Sequence, residues 1–404
     1  MGAFLDTVPW SGIVRIRDMM YSVKDPFRLD QGDVSFDAPD TVKSAMTRAI
    51  AENRTHYLQS TGLPRLRELM AERMRVKNGI PIGDVDEVLV TNGGIHALFV
   101  MFQGLLEPGD EVLLPDPVWP PTAGHVIAAQ AKPVFVPLRE TFGWRYDLDE
   151  LRRAVTPKTR AIYINSPHNP TGGVLTRADI QAIADLAIER DLWVLSDEAY
   201  EDVLFDGGVS ADASAKAEHV SIGSLPGMHE RTIPMFTFSK SYAMTGVRLG
   251  YLAVKDEKVR DRCKKILLYT TSNVCSIVQY GGIGALEGSQ ACIRDFAVEL
   301  KARRDLFYDG IRGLGGVFSG EPPAGAFYAF LKIDPAWDGA RRAESVSWAM
   351  TEHLIRHGRI GCVPGADFGA NGEGHIRFCF ARERKELAGA LDSMRQLFGV
   401  EAHA

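Results

Sequence analysis

The chain has 404 residues, of which 45% are hydrophobic and 24% are charged, an ordinary composition for a soluble globular protein. This length can bury a large core and predicts two domains, or one large domain with an appendage. The formal net charge of -6 argues against a nucleic-acid-binding protein, because no basic face could dominate the surface.

Cysteine usage and the N-terminal sequence favour a cytoplasmic protein. The cysteines are Cys263, Cys275, Cys292, Cys362 and Cys379. They are scattered, odd in number and without a CxxC pair, so we expect reduced residues. Asp6, Arg15, Arg17 and Asp18 interrupt the first 20 residues, which therefore lack the apolar core of a signal peptide. No apolar run approaches the roughly 18 residues of a membrane span.

Apolar strand-like runs alternate with helical patterns through the first 290 residues. The predicted strands are Glu87–Thr91, Glu111–Leu114, Lys132–Pro137, Arg160–Asn165, Leu192–Ser196, Met235–Phe238 and Leu249–Val254. Helical patterns cover His96–Leu106, Thr122–Gln130 and a segment that begins with a capping box at Thr176 and Asp179. This alternation predicts an α/β fold, with a mostly parallel seven-stranded sheet flanked by helices on both faces.

The pattern changes from about residue 291. A long charged helix is predicted at Arg294–Tyr308, strands near Phe327–Ile333 and His375–Phe380, and helices between them. We therefore expect three parts: a large domain over 41–290, a smaller α+β domain over 291–404, and an N-terminal segment, 1–40, that joins the smaller domain.

A lysine at the end of a predicted strand is the most informative single residue. Lys240 follows the apolar run that starts at Met235, with the hydroxyls of Thr237 and Ser239 before it and Arg248 shortly after. This arrangement suits a covalently bound, phosphate-bearing aldehyde: the lysine forms a Schiff base, while the hydroxyls and guanidinium hold the phosphate. Most strand-end lysines are merely solvated, so this segment does not decide the function alone.

Other polar groups follow neighbouring predicted strands. Gly93 and Gly94 come after the first strand, Asn169 lies in a Ser-Pro-His-Asn-Pro-Thr-Gly run, and Asp197 follows a third strand. Paired glycines are also ordinary turn residues, and a strand-end aspartate commonly caps a helix. Ligands of parallel sheets bind beyond the carboxyl ends of the strands, so the convergence of four such ends predicts a site there.

Together these motifs resemble the class I/II aminotransferases, from about Asp30 to Phe380. The resemblance implies the fold typified by aspartate aminotransferase, with pyridoxal 5'-phosphate as cofactor in a Schiff base with Lys240. It implies transfer of an amino group between an L-amino acid and a 2-oxo acid by a ping-pong mechanism, with glutamate and 2-oxoglutarate expected as one pair.

The resemblance also implies a role for each cofactor-binding residue. Asp197 pairs with the pyridine nitrogen, Tyr200 and Asn169 donate hydrogen bonds to the ring's phenolic oxygen, and Trp119 stacks on the ring. The phosphate contacts are assigned to Gly93, Gly94, Ile95, Thr237, Ser239 and Arg248. Ile95 departs from relatives that place a hydroxyl or a lysine there, so it contributes only its backbone amide.

Substrate and partner contacts follow from the same resemblance. Arg377 binds the substrate's α-carboxylate, for which its planar two-pronged donor is well suited. Gly32, Asn169 and Trp119 are expected to contact the substrate. Tyr57 is expected to reach the phosphate of a neighbouring subunit, which implies a homodimer with shared active sites.

Several alternatives remain open. A β-eliminating lyase acting on cysteine conjugates would use the same residues, and a non-catalytic sensor of pyridoxal phosphate is a further, less favoured possibility. We predict no metal site, because the histidines lack metal-ligand spacing, and no dinucleotide site, because Gly93-Gly94 does not extend to GxGxxG. The preferred amino acid, whether acidic, aromatic or aliphatic, does not follow from the sequence.

Overall fold

The structure is a computed structural model that describes residues 6–205 and 218–400. The strands are β1 Val88–Thr91, β2 Glu111–Asp116, β3 Lys132–Arg139, β4 Arg145–Tyr146, β5 Thr159–Asn165, β6 Trp193–Asp197, β7 Thr232–Thr237, β8 Gly250–Ala253, β9 Phe318–Ser319, β10 Tyr328–Ile333, β11 Val363–Pro364 and β12 His375–Cys379. The helices are α1 Gly12–Tyr21, α2 Asp40–Ala51, α3 Pro64–Val76, α4 Gly94–Leu105, α5 Pro120–Ala128, α6 Leu148–Arg153, α7 Arg177–Glu189, α8 Phe238–Ser241, α9 Glu257–Thr271, α10 Ser276–Glu287, α11 Ala291–Arg312, α12 Val346–Gly358 and α13 Arg384–Phe398.

Within the described ranges the first eight strands form one mixed sheet, in the order β1-β8-β7-β6-β5-β2-β3-β4. The five central strands, β7 to β3 in that order, are mutually parallel, and β8 runs antiparallel to both of its neighbours. The α/β fold with a mostly parallel sheet is confirmed. The predicted number of seven strands was too low, because the two-residue strand β4, which follows a turn at Gly143 (φ 66°), is too short to give an alternating pattern.

Helices cover both faces of this sheet, as the alternating pattern predicted. Helix α4 packs against α5, α9, β7 and β8, and helix α2 packs against α10. All residues of β1, β2 and β8 are buried, so these strands read as continuous apolar runs without alternation. Thr176 and Asp179 form the predicted capping box of α7, and Pro64 occupies the first turn of α3.

Every predicted strand of the large sheet differs from the structure at one or both ends, and one of these differences matters for the site. Phe238, predicted as the last residue of a strand, instead begins α8, because the side chain of Thr237 accepts a hydrogen bond from the Ser239 amide and caps a helical turn. Lys240 therefore projects from a single helical turn. Glu87 belongs to a 3₁₀ turn before β1, where Asp84 forms a capping box with it.

A second sheet, with the order β11-β12-β10-β9, is antiparallel throughout. The N-terminal segment is joined to this part of the chain by backbone hydrogen bonds: Phe27 pairs with residues 359 and 361, and the Cys379 amide donates to the carbonyl of Leu29 (2.7 Å). The domain limits near residues 40 and 290 stay a prediction. Among the described residues, none of the helices is long and apolar enough to cross a bilayer.

Candidate active site

A cavity of about 600 Å³ opens at the carboxyl ends of three neighbouring strands. The last residues of β5, β6 and β7, which are Asn165, Asp197 and Thr237, all line it. The cavity brings together most of the predicted site residues: Gly32, Gly94, Ile95, Trp119, Asn169, Asp197, Tyr200, Thr237, Ser239, Lys240, Arg248 and Arg377. Residues far apart in sequence thus meet at the edge where ligands of parallel sheets bind.

Lys240 lines the cavity and, among the described residues, has no carboxylate partner. Its Nζ donates a hydrogen bond to the carbonyl of Gly32 (2.6 Å) and lies 5.7 Å from the ring centre of Tyr200. Burial lowers the pKa of Lys240 to about 8, and the positive charges of Arg377 and Arg248 act in the same direction. A lysine with this pKa has a substantial neutral fraction near neutral pH, which nucleophilic and base chemistry require.

Asp197 is a buried carboxylate with only neutral donors around it. It accepts hydrogen bonds from the Tyr163 hydroxyl (2.8 Å) and the Ala199 amide (3.1 Å). Burial raises the pKa of Asp197 to about 6, although these two hydrogen bonds oppose the shift. In the part of the chain that is described, no cation forms an ion pair with Asp197, so a protonated ring nitrogen in the cavity would be a favourable partner.

Arg377 is also buried and lacks an anionic partner among the described residues. Its guanidinium donates to the Asn169 side-chain oxygen (3.0 Å) and to the carbonyl of Asp30 (2.8 Å), whereas its buried Nε has no hydrogen-bond partner. The guanidinium lies over the ring of Tyr328, 4.5 Å from its centre. A buried guanidinium with an unused donor is suited to a carboxylate ligand.

Arg248 and the start of α4 form an anion-binding corner of the cavity. No side chain caps the first turn of α4, so its amides are available to an anion. Gly93 does not line the cavity itself, but a side chain there would place Cβ 2.4 Å from the Arg248 guanidinium, and its φ of 80° also favours glycine. Thr237 lies beside Gly94, whose Cβ position would be 3.5 Å from the threonine Cβ.

Tyr57 is a predicted site residue that, unlike Gly93 beside Arg248, lies away from the cavity. Its side chain is 89% exposed on the surface of the protomer. The neighbouring Leu58 amide donates to the Asn273 side chain (3.4 Å), and the Ser276 hydroxyl donates to the carbonyl of Arg54 (2.6 Å). Its role across a subunit interface stays a prediction.

Sequence reasoning named Arg15, Arg17 and Arg28 as cations near the cleft without choosing among them, and it missed the cavity residues Ile13, Val14 and Tyr328. Ile13, Val14 and Arg17 line the cavity from one face of α1. Their i, i+1, i+4 spacing after the N-cap Ser11 is a helix signal, but only the docked position of α1 shows that this face meets the cavity. Tyr328, the first residue of β10, lies in an apolar strand and carries no sequence signal of its own.

A second set of buried charges lies next to the cavity and is fully paired. We call it the Arg73 network, which consists of Arg73, Lys77, Glu201 and Asp202. Arg73 contacts Glu201 (3.0 Å) and Asp202 (2.7 Å), and Lys77 contacts both carboxylates. Burial opposes ionisation of Glu201, but the positive charges of Lys77 and Arg73 hold its pKa below the usual value.

Glu198, Glu201 and His219 have the spacing of metal ligands, but both carboxylates and the Nε2 of His219 are already engaged, and only the His219 Nδ1 has no partner among the described residues. Glu198 accepts hydrogen bonds from Ser196, Ser221 and His219, and Glu201 belongs to the Arg73 network. This neighbourhood therefore serves the packing of the chain next to Tyr200.

The comparisons with known proteins agree with this geometry. Residues 24–394 match the sequence profile of the family described as aminotransferase class I and II, and the chain belongs to that family. It is 35% identical to aromatic-amino-acid aminotransferase 2 of Thermococcus litoralis, and the match covers 97% of each chain. It is 36% identical to an aspartate aminotransferase of Pyrococcus abyssi, again over 97% of each chain.

Solved structures give the same result. The aspartate aminotransferase of Thermus thermophilus with maleate superimposes with a TM-score of 0.87 at 32% identity, covering 98% of this chain and 99% of that one. The aromatic aminotransferase of Pyrococcus horikoshii gives a TM-score of 0.84 at 36% identity, covering 95% and 98%. The chain is therefore an aminotransferase that depends on pyridoxal phosphate.

The cavity fits this cofactor on its own chemistry. The anion-binding corner suits the phosphate, and the buried Asp197 suits a protonated pyridine nitrogen. Lys240, which donates only to the neutral carbonyl of Gly32 among the described residues, suits the aldehyde. Arg377 remains free for a second anion, the substrate's carboxylate.

Proposed function

We propose that this enzyme transfers the amino group between an L-amino acid and a 2-oxo acid by a ping-pong mechanism, with glutamate and 2-oxoglutarate as one pair. One observation carries the proposal: Lys240, Asp197 and Arg377 are buried around a single cavity, and none of them has a partner of opposite charge among the described residues. Such groups are costly to bury unless a ligand supplies the missing charges.

Each residue has a distinct task in this proposal. When bound, pyridoxal phosphate supplies an aldehyde that combines with amines and a ring that accepts electrons from the substrate's α-carbon. The Nζ of Lys240 would anchor the cofactor. Once the substrate's amine has displaced it, the Nζ would take the proton from Cα as a base and deliver it as an acid to the cofactor's C4′ carbon. Its lowered pKa serves both steps.

The orientation of the substrate is assigned to Arg377 and Asn169. The Asn169 side-chain oxygen holds one arm of the Arg377 guanidinium, and the ring of Tyr328 supports its face. Two fixed donors then bind the α-carboxylate and present Cα to Lys240. Gly32 contributes its carbonyl, which positions the free lysine, and Trp119 is assigned to stack on the cofactor ring.

The end of the cavity near α1 offers both an apolar wall and a cation. Ile13 and Val14 form the wall, and within the described part of the chain the Arg17 guanidinium forms an ion pair only with its exposed neighbour Asp18 (2.8 Å). Relatives are named as aspartate and as aromatic-amino-acid aminotransferases. We propose that this enzyme accepts both dicarboxylic and large neutral side chains, with Arg17 meeting the distal carboxylate.

A cytoplasmic homodimer is the assembly that we propose. Tyr57 and Tyr269 are 89% and 85% exposed, which is costly for large aromatic side chains on a monomer. Ile95, at the start of α4, both lines the cavity and remains 41% exposed. A partner covering this surface would bring its Tyr57 towards the anion-binding corner.

The test is an absorbance titration of the purified holoenzyme with L-glutamate, L-aspartate, L-phenylalanine and L-alanine in turn. Loss of the absorbance of the lysine-bound cofactor, with release of the matching 2-oxo acid, is expected for glutamate and for at least one further amino acid. Absorbance that none of these amino acids changes would contradict the proposal. Release of pyruvate and ammonia from a cysteine conjugate, without an acceptor oxo acid, would favour the β-eliminating lyase.

A further inference from the structure

Tyr328 contacts both Tyr200, which is assigned to the cofactor, and Arg377, which is assigned to the substrate. It is the first residue of β10, is buried, and lines the cavity. Its hydroxyl lies 2.7 Å from the hydroxyl of Tyr200, so the two phenols share a hydrogen bond. This hydrogen bond connects β10 directly to Tyr200, which is assigned to the cofactor's phenolic oxygen.

The ring of Tyr328 supports the residue assigned to the substrate's carboxylate. Arg377 lies on strand β12, which pairs with β10. Its guanidinium is 4.5 Å from the centre of the Tyr328 ring. Stacking of this kind fixes the plane of a guanidinium and stabilises its charge where no carboxylate is available. The face of Tyr328 helps to orient Arg377, together with the side-chain oxygen of Asn169, the carbonyl of Asp30 (2.8 Å) and the ring of Phe368 (5.0 Å).

The position of the Tyr328 hydroxyl also explains why residue 32 is a glycine. A Cβ on Gly32 would lie 2.3 Å from this hydroxyl, so only a glycine lets the two groups approach. The carbonyl of the same Gly32 accepts the hydrogen bond from Lys240. Tyr328 thus contacts the immediate surroundings of three site residues: Tyr200, Arg377 and, through Gly32, Lys240.

We propose that Tyr328 is a positioning residue, whose hydroxyl directs the phenol of Tyr200 towards the cofactor's phenolic oxygen and whose ring orients Arg377. This inference rests on the proposed function, because it assigns Tyr200 and Arg377 the roles given above. If the Tyr200 hydroxyl donates to the cofactor, its oxygen is free to accept a hydrogen bond from Tyr328. Hydrogen bonds in such a chain strengthen one another.

The surroundings of the two phenols allow Tyr328 to donate to Tyr200 and Tyr200 to donate to the cofactor. Burial raises the pKa of Tyr200 and of Tyr328 well above the usual value, so both phenols remain donors throughout the working pH range. The charged or titratable groups facing the pair are Asp33, Asp197, Lys240, Arg377 and Cys379. A Tyr328→Phe substitution leaves all of them in place and removes a single hydroxyl.

The first measurement is a pH titration of the cofactor absorbance in the substrate-free holoenzyme, which reports the apparent pKa of the link between Lys240 and the cofactor. A weaker donor at Tyr200 stabilises the cofactor's phenolic oxygen less, so Tyr328→Phe is expected to raise that pKa by about half a unit to one unit. Because the ring remains, the KM for L-glutamate should stay within about twofold.

A second variant separates the ring from the hydroxyl. Tyr328→Leu removes both, so we expect the same rise in pKa together with an increase of about tenfold or more in the KM for L-glutamate, because Arg377 loses its support. Tyr308→Phe is the matched control: Tyr308 is a buried tyrosine of the same hydrophobic cluster that does not line the cavity. It should change neither quantity, and thermal unfolding would verify that each variant is folded.

The outcomes separate this inference from the proposed function. If the wild-type protein shows no cofactor absorbance after reconstitution, both fail. If the wild-type link titrates and Tyr200→Phe shifts its pKa but Tyr328→Phe does not, only the positioning role of the Tyr328 hydroxyl is overturned. An unchanged KM in a folded Tyr328→Leu variant would overturn the role of the ring.

Discussion

Two sets of buried charges lie on either side of Tyr200, and they are built in opposite ways. In the Arg73 network each positive charge contacts carboxylates, and Asn78 donates a further hydrogen bond to Glu201 (2.6 Å). In the cavity, Lys240 and Arg377 bond to neutral oxygens, and Asp197 accepts only from neutral donors. The first set is complete without a ligand, whereas the second is complete only with one.

This difference in pairing distinguishes the charges that stabilise the fold from those that serve the reaction. Removing one member of a paired buried set leaves an uncompensated charge and costs stability. Removing a charge that was never compensated relieves the folded protein of a desolvation cost. The two sets should therefore respond to substitution with opposite signs.

The largest effect is expected for Lys240→Ala, which removes the anchor and the proton carrier together. We expect kcat for transamination to fall by at least about 10⁴-fold, because covalent and acid–base catalysis are lost at once. Lys77→Ala, in the Arg73 network, removes a more exposed lysine that does not line the cavity, and should leave kcat nearly unchanged. A Lys240→Ala variant that retained normal transamination would refute the assignment of this residue.

Arg73→Met tests the paired set. It leaves Glu201 and Asp202 buried with only Lys77 to compensate them, so we expect a loss of about 3–5 kcal/mol in the free energy of unfolding. Arg377→Met removes a guanidinium that has no carboxylate partner among the described residues, so we expect the free energy of unfolding to rise by up to about 1 kcal/mol. Urea unfolding of the cofactor-free protein measures both, and equal losses would contradict the comparison.

The pH dependence of the free energy of unfolding, compared between Lys240→Met and the wild type, tests the cavity charges that lack partners of opposite charge. The pKa of Lys240 is about 8 in the folded protein, below its ordinary value of 10.5, so between these values the unfolded chain binds more protons. The stability of the cofactor-free wild type therefore rises from pH 8 to 10.5. We expect Lys240→Met to be about 2 kcal/mol more stable than the wild type at pH 7, a gain that fades by pH 10.5. A gain that did not depend on pH would indicate a packing effect.

The smallest effect is expected for Arg17, whose charge is only half-buried. Arg17→Gln should raise the KM for 2-oxoglutarate by about three- to tenfold and leave the KM for a neutral aromatic substrate unchanged. Asp18→Asn releases Arg17 from its present partner and should not raise either KM. Steady-state kinetics with both substrates decides, and equal increases for both would remove the specificity role.

The sequence predicted those features that depend on local pattern. Alternating strands and helices indicated the large sheet, and strand-end residues such as Asp197 and Lys240 indicated where a ligand binds, because the carboxyl ends of parallel strands share one edge. The individual roles came from the resemblance and stay predictions. Tyr328, Ile13 and Val14 were not predictable, since they reach the cavity only through the docking of the second sheet and the N-terminal segment.

That docking has a consequence for how the protein matures during its synthesis. Residues 27–35 find their hydrogen-bond partners at Arg359, Gly361, Cys379 and Ala381, which are made much later than the strands of the large sheet. Gly32, which holds Lys240, and Arg377 are thus brought to the cavity by the same late contacts. A nascent chain can fold its large sheet early, but it cannot assemble the cavity until the second sheet has been made.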